Sequence, residues 1–208
     1  EVRTPVGGVE TLDYDDAGHL FPGDARNALP RVTKHTIKPG AEQPDMVTTY
    51  AYTSNNFLGR GSGVTWRDNG EDNLYQFTGT DFSYGSTVTY LAGDSPLRSV
   101  TRSFNRFHLL TLQVTEQAHE VWDEHATQPR RETCIEEVET VYHETGASFE
   151  LQPTYFQLPK HQIKRWKIKE NVSRLREEVL ITQYDEHGNL ALESKAAAPV
   201  YKGDAIDE

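Results

Sequence analysis

Two near-copies of one phrase, far apart in the chain, constrain its fold more than any other feature. Gln183-Tyr184-Asp185-Glu186-His187-Gly188-Asn189-Leu190 stands near one end and Leu12-Asp13-Tyr14-Asp15-Asp16-Ala17-Gly18-His19-Leu20 near the other. Each reads as strand, tight turn, strand. A tyrosine suits the end of a pleated, half-buried strand. The Asp behind it can accept hydrogen bonds from turn amides, and the Gly supplies positive φ at little steric cost. A hairpin phrase that recurs predicts an array of similar units.

Degenerate copies lie between. Thr49-Tyr50-Ala51-Tyr52-Thr53-Ser54-Asn55-Asn56-Phe57-Leu58-Gly59 has the aromatic strand end and an Asn-rich turn. Ser103-Phe104-Asn105-Arg106-Phe107-His108-Leu109-Leu110 keeps the aromatic and the Asn but lacks the Gly, and Tyr142-His143-Glu144-Thr145-Gly146 keeps the Tyr and the Gly. The expected repeat anchors are therefore Tyr14, Asp15, Gly18, Tyr52, Phe104, Asn105, Tyr142, Gly146, Tyr184, Asp185 and Gly188. Their uneven spacing predicts stacked hairpins with variable loops on one side.

Alternation of apolar and polar residues supports an all-β reading. Leu110, Leu112 and Val114 share one face. Residues 32–37 and 46–50 read as strands around a Pro39-Gly40 turn. Residues 163–168 and 175–183 read as another pair, joined across Asn171-Val172-Ser173, with a helix over residues 174–180 as the competing assignment. No boundary divides the chain, so residues 1–208 are taken as a single open-edged β segment. An aromatic and Gly-rich insertion interrupts the rhythm at about 59–96.

The chain carries 21 basic and 32 acidic residues among 208, a net charge of -11. That balance opposes a nucleic-acid or anionic-membrane partner, which needs a positive field. No apolar run reaches the roughly 20 residues of a membrane span. The sequence begins at Glu1 rather than Met, which suggests a piece of a longer protein.

Several stretches invite a chemical reading. Trp66, Tyr75 and Tyr84 in the insertion are candidates for stacking on sugar rings, against the simpler role of packing between layers. Asp68-Asn69-Gly70-Glu71-Asp72-Asn73 offers oxygen ligands without calcium-loop spacing and reads as a polar turn. Lys160 to Lys169 places basic residues around Trp166, but nearby Glu177 and Glu178 favour cross-strand charge pairing. Cys134, the single cysteine, reads as a small buried hydrophobe on a strand. His119 and His125 lack metal-ligand spacing. No phrase supplies a nucleophile with its base, so neither catalytic nor metal residues are assigned, and no cofactor is expected.

The longer phrases carry a resemblance. Tyr184-Asp185-Glu186-His187-Gly188-Asn189-Leu190 resembles the repeat of the Rhs/YD-repeat family. Ala28-Leu29-Pro30-Arg31-Val32-Thr33, Asn56-Phe57-Leu58-Gly59-Arg60-Gly61-Ser62-Gly63, Ser103-Phe104-Asn105-Arg106-Phe107-His108 and Phe149-Glu150-Leu151-Gln152-Pro153 resemble the B-component side of bacterial insecticidal toxin complexes. The resemblance covers roughly residues 10–197. It implies stacked antiparallel hairpins forming part of a hollow shell that encloses a C-terminal toxin, in a protein secreted by a bacterium. The partners implied are the remaining repeats and the toxin cargo of a parent protein. The family's self-cleaving aspartyl-protease phrase is not matched by Ala198-Pro199-Val200-Tyr201-Lys202-Gly203-Asp204, so the segment is expected to be inert wall. A carbohydrate-binding or cell-surface adhesion module is the alternative. Unpaired strand edges predict an edge-paired or hairpin-swapped homodimer of the isolated chain.

Overall fold

The computed structural model describes residues 1–5, 7–122, 124–125, 127–169 and 171–199, with the side chains of 16, 24–27, 171–175 and 198–199 left aside. Among the described residues eleven strands form one antiparallel sheet in sequence order: β1 Val2–Arg3, β2 Val9–Phe21, β3 Asp24–Lys38, β4 Met46–Tyr52, β5 Ser83–Ala92, β6 Ser95–Asn105, β7 Leu110–Val121, β8 Arg130–Tyr142, β9 Pro159–Ile168, β10 Asn171–Tyr184 and β11 Leu190–Pro199. Every strand pairs with its neighbours in the chain, and the sheet does not close. The all-β assignment holds.

Local chemistry explains the elements. Val32, Thr33, Thr36 and Ile37 in β3, and Val47, Thr48, Thr49 and Tyr50 in β4, are β-branched or aromatic residues suited to a pleated surface. The bend between them carries Gly40 at φ 85. Two readings need correction. Asn171, Val172 and Ser173 lie within β10 rather than in a turn, with register shifts at Asn171/Arg174 and Arg174/Arg176. The competing helix over 174–180 is likewise strand, because Val179 and Ile181 pair across to Ile163 and His161 on β9. The interruption also has different limits: irregular chain runs over 53–82, with one 3-10 turn at Asn73–Gln76, and Ser83 already begins β5. The comparison with the protease phrase at 198–204 falls mostly outside the described residues.

Register assigns side chains to faces. One row crosses the sheet as Ala51, Thr87, Thr101, Val114, Glu137, Arg165 and Glu177. The neighbouring row on the opposite face reads Tyr50, Val88, Val100, Thr115, Glu136, Trp166 and Arg176. Each mixes apolar with polar or charged groups, so neither face is a continuous apolar surface. The total accessible area, 13747 Å², far exceeds the about 9,800 Å² that size scaling gives a compact monomer of 23.6 kDa. The sheet is a single layer.

Its buried apolar side chains therefore sit elsewhere. Among the described residues they are Leu74, Phe82, Val100, Phe107 and Phe156. All but Val100 belong to the connections 53–82, 106–109 and 143–158, which meander topology brings to the same rim. These connections pack on one another and form a cap.

Candidate functional site

The rim is where four of the five repeated phrases come together, each of the four marking the end of an upward strand. Tyr52 closes β4, Phe104 lies at the end of β6, Tyr142 closes β8 and Tyr184 closes β10. One phrase thus corresponds to one hairpin. Tyr52 donates its hydroxyl to the Val32 carbonyl on the preceding strand at 2.9 Å, and Tyr142 does the same to Leu110 at 2.9 Å. Phe104 has no hydroxyl and stacks on Tyr84 at 5.4 Å. Tyr184 meets His143 edge-on at 5.7 Å. Tyr14 differs: it lies inside β2 and is 56% exposed.

The turn behind these aromatics has one geometry in two sequences. Asp185 Oδ1 accepts from the amides of His187 and Asn189 at 2.9 and 2.8 Å, and Asn105 Oδ1 accepts from Phe107 and Leu109 at 3.0 Å each. In both turns the fourth residue donates to the first carbonyl, and the first amide donates to the fifth carbonyl, at 3.0 Å. Asn56 repeats the side-chain bonds with Leu58 and Arg60. The amides hold the Asp185 carboxyl below the usual carboxylate range, with the Asn189 side chain the leading cause.

This geometry needs positive φ at its fourth position. Gly188 supplies it at 81° and Gly59 at 91°, whereas the Asn105 turn uses His108 at 61°. Histidine is one of the side chains that tolerates this region. Here it is also tied on both sides, with Nδ1 2.7 Å from the Tyr84 hydroxyl and Nε2 against Asp72. In the neutral tautomer that donates Nε2–H to Asp72, the Tyr84 hydroxyl donates to Nδ1. Burial pushes the Tyr84 phenol up to about 12, which keeps it protonated as that donor requires. The missing Gly is therefore replaced by a residue that pins the 53–82 connection to the sheet. Gly146 does not share the role: its φ lies outside the left-handed region, and an added Cβ would meet nothing within 4 Å.

Arg106, inside the same turn, is the center of the cap. Its side chain is 1% exposed and donates to the carbonyls of Phe77, Thr145 and Ala147 at 2.5, 2.6 and 2.7 Å. Its guanidinium lies 4.2 Å from the Phe107 ring centre, and Nε stands 3.6 Å from Glu144. Glu144 in turn accepts from Asn105 Nδ2 at 2.9 Å. One arginine thus joins three connections. Burial pushes its pKa down and Glu144 opposes that shift. Sequence reading quoted this residue inside a phrase but gave it no role. The signal available was a basic residue between two aromatics in a turn.

Of the sugar-stacking candidates, Tyr75 has one ring face against Phe149 at 4.2 Å and 3°, and Tyr84 stacks on Phe104. Trp66 meets Phe21 edge-on at 4.5 Å and lines a cleft of about 410 Å³ with Phe57, Arg67 and Asp72. The three rings do not form one platform. The polar turn at 68–73 folds on itself, with Asn69 donating to Glu71 and Asp72 accepting from the Leu74 amide. Among the described residues no group of three His, Cys, Asp or Glu could hold a metal. No helix there is long and apolar enough to cross a membrane.

The basic stretch in β9 is engaged in ion pairs. Arg165 bonds Glu137, Glu139 and Glu177 at 2.6–2.9 Å, and Lys167 bonds Glu137 at 2.7 Å. Trp166 Nε1 donates to Glu136. Cys134 is on strand β8 but exposed, contrary to the buried role expected. Few strand residues are buried in this sheet, Val100 among them, and Cys134 is at a position that nothing covers.

Two histidines join neighbouring hairpins. His19 meets Tyr52 and Phe57 edge-on at 5.0 and 5.1 Å, and His143 meets Tyr155 and Tyr184 at 5.2 and 5.7 Å. Each has a buried ring nitrogen without a partner, and burial holds both pKa values below 6.5. The unfolded chain therefore takes up protons first as pH falls. Their contribution is complete above about pH 6.5 and is lost as pH drops through the folded values. Asp15, Glu137 and Asp185 are shifted downward and stay ionised in that window. Urea midpoints should fall between pH 7.5 and 5.5, and the His19→Leu/His143→Leu variant should flatten that dependence. A midpoint independent of pH in the parent chain would remove the two rings from this role.

No family model matches the chain, and neither does any curated protein or solved structure.

Proposed function

We propose that the chain is a structural wall segment of a secreted Rhs/insecticidal-toxin-complex-like protein that encloses a C-terminal toxin. The observation that carries this reading is a single-layer meander in which three aromatic–Asp/Asn phrases close turns along one rim and both faces are polar enough to meet water. A wall between two aqueous volumes needs that surface on either side. A compact binding domain would instead bury one face. The side chains singled out in the sequence act on the fold: Tyr52 and Tyr142 fasten strands, and Asn105 and Asp185 close turns. The carbohydrate alternative retains Trp66 in its cleft, while Tyr75 and Tyr84 lie against other rings.

Reading the parent coding sequence on both sides of residues 1–208 tests the proposal. Further aromatic–Asp hairpins followed by a variable C-terminal region are expected. A stop codon directly after Glu208, with no such phrase upstream, would overturn it.

A further inference from the structure

The two edges of the sheet are built differently. On one side β2 is partly covered by β1, through Val2–Glu10 and Arg3–Val9. The rest of β2 is broken by register shifts at Asp13/Tyr14, Asp15/His19 and Leu20/Phe21, and it carries Asp13 and Asp15. Bulges and charge are the usual means by which an edge avoids pairing. On the other side β11 pairs with β10 in unbroken register from Pro199 to Leu192. Residues 190–197 are exposed, including Leu190 at 53% and Leu192 at 48%. No strand covers their outer edge among the described residues.

The sequence of β11 selects a partner. We infer that β11 is a self-complementary edge, pairing antiparallel with β11 of a second copy about a two-fold axis through Ser194. In a two-fold pair, residue i faces j and j faces i. With the axis at Ser194, Glu193 stands opposite Lys195 of the second copy, and the same pair recurs on the other side. Leu192 then faces Ala196 and is covered. Centring on Glu193 would oppose two carboxylates, and centring on Lys195 two ammonium groups; both are unfavourable. Lys195 is 61% exposed and reaches Glu178 at 3.3 Å on its own chain, so it can engage both carboxylates. The result is a continuous 22-stranded sheet. The inference does not depend on the shell reading, since it concerns only the edge of this chain.

Sedimentation equilibrium of the 208-residue chain should give twice 23.6 kDa. Glu193→Lys and Lys195→Glu, taken singly, each place like charges opposite one another twice per dimer. Each should weaken association by about tenfold or more, and the double exchange should restore it. Far-UV circular dichroism checks that the exposed substitutions leave the sheet intact. In a Cys134→Ser background, Ser194→Cys should form a disulfide-linked dimer on oxidation, whereas Leu192→Cys should not. A monomer at all concentrations would overturn the inference. So would a dimer indifferent to the single charge changes, or open-ended assembly through β2.

Discussion

Replacing Arg106 with Met is expected to destabilise the chain by about 4 kcal/mol, the range for removing one partner of a buried ionic cluster. The substitution leaves the Phe77 carbonyl without its Arg106 donor and Glu144 without its counter-charge, while the Thr145 and Ala147 carbonyls each lose one of two donors and keep Gln152 Nε2. A buried acceptor stripped of its partner costs about 1–3 kcal/mol, and the uncompensated Glu144 carboxylate adds to that cost. Arg106→Lys should recover little, because one ammonium cannot reproduce the planar fork that reaches three backbone sites. Glu144→Gln is the informative contrast: it keeps an acceptor for Asn105 and should cost about 1 kcal/mol. Urea denaturation measures all three. A change within about 0.5 kcal/mol for Arg106→Met, typical of exposed sites, would show that the cap is held by its aromatic rings instead.

Gly18→Ala should be the next most damaging change. Gly18 sits at φ 54, and a Cβ there would lie 2.1 Å from the Leu29 carbonyl oxygen and 2.8 Å from its carbon. Those are backbone atoms of the paired strand, so the hairpin must part to admit a methyl group. The left-handed conformation alone costs a non-glycine residue about 1–2 kcal/mol. With the displacement of β3 added, about 3 kcal/mol is expected, in the upper part of the range for point substitutions. Gly188→Ala isolates the conformational part, because at Gly188 the nearest atom to an added Cβ is 3.8 Å away. Equal losses at the two positions would mean that the close approach to Leu29 contributes nothing.

The hairpin array was legible in the sequence because its determinants are local. An aromatic residue, an Asp or Asn and a positive-φ residue within five positions fix the turns at Asn105 and Asp185, whereas the same set at Tyr14, Asp15 and Gly18 makes an irregularity inside β2. The same locality explains the errors. Gly146 matched the phrase by spacing, yet the chain after Tyr142 enters a longer connection with no such turn. Asn171-Val172-Ser173 has turn composition, but it opens β10: Asn171 pairs with Ile168 and the register shifts before Arg174. The cap was not legible, because Arg106 reaches carbonyls about 30 and 40 residues away and Asp72 reaches His108 from the preceding connection. Nothing in a linear pattern joins such residues. Cys134 was misplaced for a related reason: alternation reveals two faces but not whether either has a layer above it.

The aromatic and Arg106 fastenings of this sheet lie along one rim, while the opposite rim is tied by sparser contacts such as Lys169 N–H to the Thr133 carbonyl and Arg131 to the Pro96 carbonyl. A ribbon cinched along one border keeps its width there and yields at the other. Because every strand is laddered to its chain neighbours, hairpins can change their angle to one another only by bending the sheet as a whole.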